Sequence, residues 1–396
     1  MDYPEVVIVS AARTPIGRFQ GTLSTIPATE LGGVAIKAAI ERAGIDGALV
    51  DEVLMGNVVQ AGEGQAPARQ AGISGGLPDS VGATTINKIC GSGLKAVMMA
   101  SQAIRSGDGN VFVAGGMENM NLAPYYLLKA RTGYRMGNAE MIDGMIHDGL
   151  WCAFEKHHMG SSAEWIAREY DVSRQDQDEL ALRSHQRALA AIDVGRFQDE
   201  IAPVPIAQRK GPPLLFDTDE TPRRETNLEA LARLKPAFEA GGTVTAGNAP
   251  PISDGAAALV VMSAAKAKEL GVRPLARVTG YDQAAVKPLE IFTAPIFAVR
   301  RLMDKLGVGI DYFDLFEVNE AFAAQTIADG RELGMDWDKV NVNGGAVALG
   351  HPIGCSGARV LVTLLYALKQ RNLRTGLATL CLGGGEGVAL SVEMLD

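Results

Sequence analysis

The sequence predicts an α/β protein built of layered sheets and helices, and three observations carry the prediction. Short β-branched runs of the buried-strand type alternate with helical spacing through the first 120 residues, the pattern of strands joined by crossover helices. The last third repeats the same grammar. Between the two, residues 120 to about 250 abandon the alternation and read as an insertion.

Val6–Val9 is the first strand, and Thr29–Ala43 follows with helical spacing and Thr29 as its candidate N-cap. Asp51–Gly56 and Ala83–Ile89 read as strands, Leu94–Ser106 as an apolar helix, and Asn110–Ala114 as a strand ending in Gly115-Gly116. In the last third, Leu275–Gly280 is a strand, Pro295–Leu306 a helix, Phe313–Val318 a strand, and a helix starts near Glu320. Val340–Asn343 then reads as a strand, Ala358–Gln370 as a helix, and Leu377–Leu382 as a strand running into Gly383-Gly384-Gly385. Within the insertion, Ser161–Tyr170 and Arg174–Val194 have helical spacing, the second opened by Ser173 and Asp176 at a capping-box interval. The prolines of Ala202–Pro213 and a charged loop, Asp217–Glu225, follow; such a segment decorates the first half and is placed to cover a site.

Particular letters also recur. Asp51-Glu-Val-Leu-Met-Gly-Asn57 can be laid on Asp314-Leu-Phe-Glu-Val-Asn319, and Gly91-Ser-Gly93 opens one helix as Cys355-Ser-Gly357 opens another. The interval from the asparagine to the serine of the next glycine turn is 35 residues from Asn57 to Ser92 and 37 from Asn319 to Ser356, so the chain reads as an internal duplication.

With 396 residues and 47% hydrophobic content, the chain can bury a large core spread over two or three domains. Its 46 glycines are about 12% of the chain against a usual ~7%, without a collagen-like period, so they belong to turns, helix starts and close backbone approaches. Thirty-seven basic against 46 acidic residues, a net charge of −9, argue against a nucleic-acid partner. The acidic start, running straight into a strand pattern, is unlike a signal or transit peptide, and no apolar run reaches the ~18 residues of a membrane span. No membrane role is therefore expected. Four cysteines make no disulfide framework and have no zinc-site spacing; reduced thiols, a cytoplasmic location and no metal are the expectation.

Three cysteine and histidine positions carry possible chemistry. Cys90 sits at a strand end before Gly91-Ser92-Gly93 and a helix, where a helix N-terminus is expected to lower its pKa and favour the thiolate. A buried structural thiol and a dinucleotide-binding module on Gly91-x-Gly93-x-x-Ala96, with Glu118 beyond the next strand, are equally open readings of that turn. His351 lies in the glycine-dense loop Asn343–Gly357, and Cys381 ends another strand. The duplication brings equivalent strand ends toward one pseudo-twofold axis, so Cys90 and Cys381 are expected to face one pocket with His351 between them. Two thiols and a base can carry an acyl group and move a proton without metal or redox cofactor, although a redox disulfide is a rival use.

Four blocks resemble the signatures of one family: Asn87-Lys-Ile-Cys90-Gly-Ser-Gly-Leu, Val318-Asn-Glu-Ala-Phe-Ala323, Gly350-His351-Pro-Ile-Gly and Cys381-Leu-Gly-Gly-Gly-Glu-Gly. They occur in the order seen in thiolases, and the resemblance runs from Ile8-Val-Ser-Ala-Ala-Arg-Thr-Pro15 nearly to the end. It implies the thiolase fold: two duplicated βαβαβαββ halves in α-β-α-β-α layers with an inserted loop domain. Carried onto this chain, the division is 1–120 with 248–273 for the N-terminal half, 121–247 for the loop domain covering the coenzyme A site, and 274–396 for the C-terminal half.

The resemblance further implies a ping-pong reaction on coenzyme A thioesters, with Cys90 acylated, His351 taking its proton and Cys381 deprotonating the second acyl group. Asn319, through a water, and His351 would hold the thioester oxyanion, and the backbone N–H groups of Cys90 and Gly383 the second one. Asp148-Gly-Leu150 with His158-Met159-Gly160 resembles the covering loop of the biosynthetic branch, in which the methionine shortens the acyl pocket. By the same alignment Arg223 lies near the adenine, while Leu150, His158, Phe238, Ala249, Ala321 and Phe322 line the pantetheine channel. One departure stands out: Pro250-Pro251 replaces a Ser-Gly pair common in the family, removing a hydroxyl and stiffening the loop.

The expected activity is that of an acetyl-CoA C-acetyltransferase, with acetyl-CoA, acetoacetyl-CoA and CoA as ligands and no separate cofactor. A longer-chain 3-oxoacyl-CoA thiolase of β-oxidation is the nearest alternative. A homo-oligomer is implied, dimer or tetramer, with Lys129–Met141 resembling the loop through which tetrameric members pair.

Overall fold

The buried runs of both thirds become strands of one sheet, described here in a computed structural model covering residues 3–395. The first part of the chain forms β1 (Val6–Arg13), β2 (Gly17–Arg18), α1 (Ala28–Ala43), β3 (Glu52–Gly56), α2 (Pro67–Ser74), β4 (Gly82–Ile86), α3 (Ser92–Ser106) and β5 (Val111–Asn119). The chain then leaves the sheet for β6 (Tyr125–Tyr126), β7 (Ile142–Asp143), α4 (Met159–Glu169), α5 (Arg174–Asp193), β8 (Val204–Ile206), β9 (Leu214–Phe216) and α6 (Leu228–Ala232). It returns through β10 (Ser253–Ser263), α7 (Ala264–Leu270), β11 (Ala276–Ala285), α8 (Ala294–Leu306), β12 (Leu315–Val318), α9 (Ala323–Leu333), α10 (Ala346–Leu349), α11 (Ile353–Arg371), β13 (Thr375–Leu382) and β14 (Glu386–Met394).

Sheet order carries the duplication. From the outer edge inward the first half runs β4-β3-β5-β10-β1, with β3 parallel to β4 and β5 and the remaining neighbours antiparallel. In the second half the order β12-β13-β14-β11 repeats the last four places with the same directions, and a parallel bridge from Phe316 to Val340 stands where the fifth strand belongs. The halves join antiparallel where Val7 faces Arg277 and Ile8 faces Ala276.

The layers follow from which strand faces are apolar. One core cluster contains α3, α11 and inward residues of both halves, including Leu54, Phe112, Leu259, Leu380 and Leu390. A second joins the other face of the first half to α1 and α2, and a third joins the second half to α8. Helices thus alternate with sheet in an α-β-α-β-α stack. The two middle helices cross at equivalent glycines: a Cβ on Gly93 would lie 2.5 Å from the backbone nitrogen of Ala358, and one on Gly357 would lie 2.4 Å from that of Leu94. No larger residue fits at either position.

The middle segment is tied to β1 by charge. Arg13 is fully buried, its Nε 2.6 Å from Glu200 and its Nη1 2.7 Å from Asp219. Removing one member of such a buried set strands the others without water or counter-charge. No helix of the described residues is long and apolar enough to cross a membrane.

Several local expectations differ from what forms. Thr29 lies inside α1 and is buried; the helix starts after Pro27, whose fixed φ leads into the first turn without a side-chain cap. Only Val340 of Val340–Asn343 pairs as a strand, because Asn341 has φ +47° and turns the backbone away. Its side-chain amide supplies the missing pairing, accepting from Val318 N–H and donating to Val318 C=O, both at 2.9 Å. Helix α9 begins at Ala323 rather than near Glu320, and α11 begins at Ile353 rather than Ala358.

Candidate active site

Cys90 occupies the turn from β4 into α3, and the backbone there is strained. Ile89, a β-branched residue, has φ +47°, a region costly for such side chains and frequent at functional sites. Ser92 holds the turn: its hydroxyl accepts from Lys88 N–H at 2.8 Å and donates to Ile89 C=O at 2.7 Å. The Cys90 thiol meets the backbone N–H of Gly383, in the turn after β13, as well as its own. The helix N-terminus was expected to lower its pKa, but burial outweighs those two donors and pushes the thiol up to about 12. At rest Cys90 is therefore a thiol, not a thiolate.

His351 precedes α11, and its tautomer follows from one hydroxyl. Ser356 Oγ donates its single hydrogen to Pro352 C=O at 2.9 Å. It can then only accept from His351 Nδ1, 2.5 Å away, so the imidazole carries its proton on Nδ1 and keeps a lone pair on Nε2. Burial, assisted by the nearby Arg359 guanidinium, lowers the His351 pKa to about 3 and keeps the ring neutral. Ser253 Oγ accepts the backbone N–H of His351 at 3.3 Å. Ser356 is a functional position that inspection of single motifs passes over. The repeat contains the signal, because Ser356 occupies the place of Ser92, each serine bracing the turn ahead of a middle helix.

Cys381, at the end of β13, is buried against Phe292, Ala321 and Phe322 and faces Cys90; burial first, then the Cys90 thiol and buried Asp329, raise its pKa well above the ordinary range. All four cysteines are free. Cys90, His351, Cys381 and Gly383 open on one apolar cavity of about 220 Å³, together with Leu150, His158, Met159, Phe238, Ala249, Pro250, Ala321 and Phe322. Ile89, Gly149, Ile252, Ile291, Phe292 and Ile353 complete its wall and were not singled out from sequence.

Two expected site residues stand elsewhere. Asn319 is fully buried and does not line the cavity; its backbone is paired, but neither atom of its side-chain amide has a partner. Arg223 is exposed and outside the cavity wall, its backbone N–H donating to His185 Nδ1 at 3.1 Å. His158 has a structural duty as well: its Nδ1 caps α4 by accepting Gly160 N–H at 3.0 Å, and its ring stacks on Phe238 with centroids 4.7 Å apart.

The dinucleotide reading of the Cys90 turn fails on space. A Cβ on Gly93 would meet α11 and one on Gly91 would meet the Leu382 side chain at 2.5 Å, so these glycines admit protein rather than a pyrophosphate. Glu118, the candidate ribose ligand, is fully buried and accepts from Val59 N–H at 3.0 Å and Gly354 N–H at 2.8 Å. Cys152 Sγ accepts Glu155 N–H at 3.3 Å and so closes a turn of the covering segment.

Fold and site together, with two free thiols and a neutral histidine on one apolar cavity, point to one enzyme class. Family models agree: that for the thiolase N-terminal domain matches residues 6–265, and that for the thiolase C-terminal domain matches residues 272–394. The chain belongs to the thiolase family. Among curated relatives, the acetyl-CoA acetyltransferase of Pseudomonas aeruginosa is 58% identical over 98% of this chain and 99% of its own. That of Cupriavidus necator is 55% identical with the same coverage. The crystal structure of the Bacillus anthracis acetyl-CoA acetyltransferase superposes with a TM-score of 0.97 at 44% identity, covering 99% of both chains.

Proposed function

We propose that the protein is an acetyl-CoA C-acetyltransferase, which reversibly joins two acetyl-CoA molecules into acetoacetyl-CoA and CoA. The observation that carries this reading is the convergence of Cys90, His351 and Cys381 on one apolar cavity. The names of the full-length relatives support the same substrates.

In the first half-reaction Cys90 Sγ attacks the thioester carbonyl while its proton passes to His351 Nε2. The C–S bond of the thioester then breaks, and CoA leaves as the thiol with the proton returned from His351. In the second half-reaction the Cys381 thiol first yields its proton to His351 Nε2, and the resulting thiolate takes a proton from the α-carbon of another acetyl-CoA, whose carbanion attacks acetyl-Cys90. A carbon–carbon bond forms, the C–S bond to Cys90 breaks, the Cys90 thiolate recovers a proton from His351, and acetoacetyl-CoA departs. Coenzyme A thioesters are the substrates, and no separate cofactor enters the balance.

Charge builds on oxygen at each step, and four groups of this chain are suited to meet it. The Gly383 N–H directed at Cys90, with that of Cys90 itself, suits the tetrahedral oxyanion on the acylated thiol. His351 and the unpartnered amide of Asn319 suit the enolate oxygen, with water linking Asn319 to it. A neutral resting thiol and imidazole fit this scheme, because the ion pair arises only as the substrate carbonyl accepts the electrons. The roles of the two thiols separate in Cys381→Ala: acetylation of Cys90 should persist while acetoacetyl-CoA formation falls to background. Condensation at the wild-type rate would remove Cys381 as the base.

A further inference from the structure

We infer that Phe292 closes the acyl end of the cavity and restricts the acyl group carried on Cys90 to a few carbons. The inference rests on the function proposed above and deepens it by assigning a chain-length determinant.

Burial orients the cavity. Leu150, Phe238, Pro250 and Ile252 line it while half-exposed, and so form its mouth. Ile291 and Phe292, each 2% exposed, belong to its buried part, in the same apolar cluster as Cys381. An acyl chain on Cys90 that stays inside the cavity packs against this buried part.

Phe292 is also held firmly. Its ring meets Phe322 edge-to-face with centroids 5.4 Å apart, and Phe322 meets Phe238 in the same way at 6.0 Å. Such contacts fix ring orientation as well as position. The turn that bears it, Pro288–Thr293, leads into α8, which is seated on β14 by backbone contact: a Cβ on Gly387 would lie 2.5 Å from the carbonyl carbon of Ala294. Neither ring nor backbone can withdraw without disturbing a packed neighbour, so the end of the cavity is rigid and a longer chain meets a wall.

Thiolysis of two substrates in one preparation tests this, since the ratio of their kcat/KM values is independent of the fraction of enzyme that is active. Phe292→Ala should raise the ratio for 3-oxohexanoyl-CoA over acetoacetyl-CoA by about tenfold or more, the discrimination typical of small differences in an apolar pocket. Phe292→Leu, which keeps most of the packing, should raise it by less and secures the test if the alanine variant does not fold. A ratio within about twofold of wild type in a variant that still cleaves acetoacetyl-CoA overturns the assignment. Wild-type protein that cleaves neither substrate in the presence of CoA overturns the proposed function instead.

Discussion

Replacing Ser356 by alanine separates a histidine that is merely present from one that is correctly protonated. In the native site the serine hydroxyl commits its hydrogen to Pro352 C=O and so forces the imidazole proton onto Nδ1, 2.5 Å away. Without it, Nδ1–H is left in a buried pocket with no acceptor, and the tautomer with Nε2 protonated no longer loses a bond by forming. Stranding a buried donor costs about 1–3 kcal/mol. At 1.4 kcal/mol per factor of ten, that corresponds to a roughly 5- to 150-fold loss if the cost falls on the reactive tautomer. The assay is rapid-quench acylation of Cys90 by acetyl-CoA, with the thermal midpoint measured alongside to show that the variant is folded. A slower acylation step with little change in KM is expected. A folded Ser356→Ala enzyme that acylates within about twofold of wild type would refute the tautomer argument, since even the low end of that range is larger.

Two further outcomes follow from burial and from loop chemistry. His351 has a folded pKa of about 3 against an unfolded value near 6.5, so between those limits the unfolded chain binds a proton that the native ring refuses. Relative to His351→Asn, wild type should lose about 1.4 kcal/mol of stability per pH unit as pH falls below ~6.5, measured by urea unfolding; parallel curves would contradict it. Pro250 lines the cavity mouth where it offers neither hydroxyl nor N–H, so Pro250→Ser should lower KM for CoA, and an unchanged KM would remove Pro250 from coenzyme A binding.

Much of the architecture was readable because the two halves bury strands on both faces and cross them with helices, which leaves continuous apolar runs and helical spacing in the letters. The repeat was visible for a related reason: equivalent glycines at positions 93 and 357 both let the middle helices touch, so the same small residue recurs at equivalent positions. What stayed hidden depended on distant partners. Asn341 replaces a strand with its side chain, and nothing nearby in sequence marks Val318 as the backbone it pairs with. The depression expected for the Cys90 pKa followed from local helix geometry, whereas burial beneath the turns after β13 determines it. Phe292 and Ile291 look like ordinary apolar residues ahead of a helix, and only the packing of their turn brings them beside Cys381. Arg223, proposed near the adenine by motif alone, lies on an exposed loop, its backbone N–H bonded to His185.

The central claim is that Cys90 carries the acyl group. Incubating the protein with acetyl-CoA and measuring its intact mass should show one added acetyl group on wild type and none on Cys90→Ala. A folded wild-type protein that acquires no acetyl group, or a Cys90→Ala variant that acquires it equally, would contradict the account.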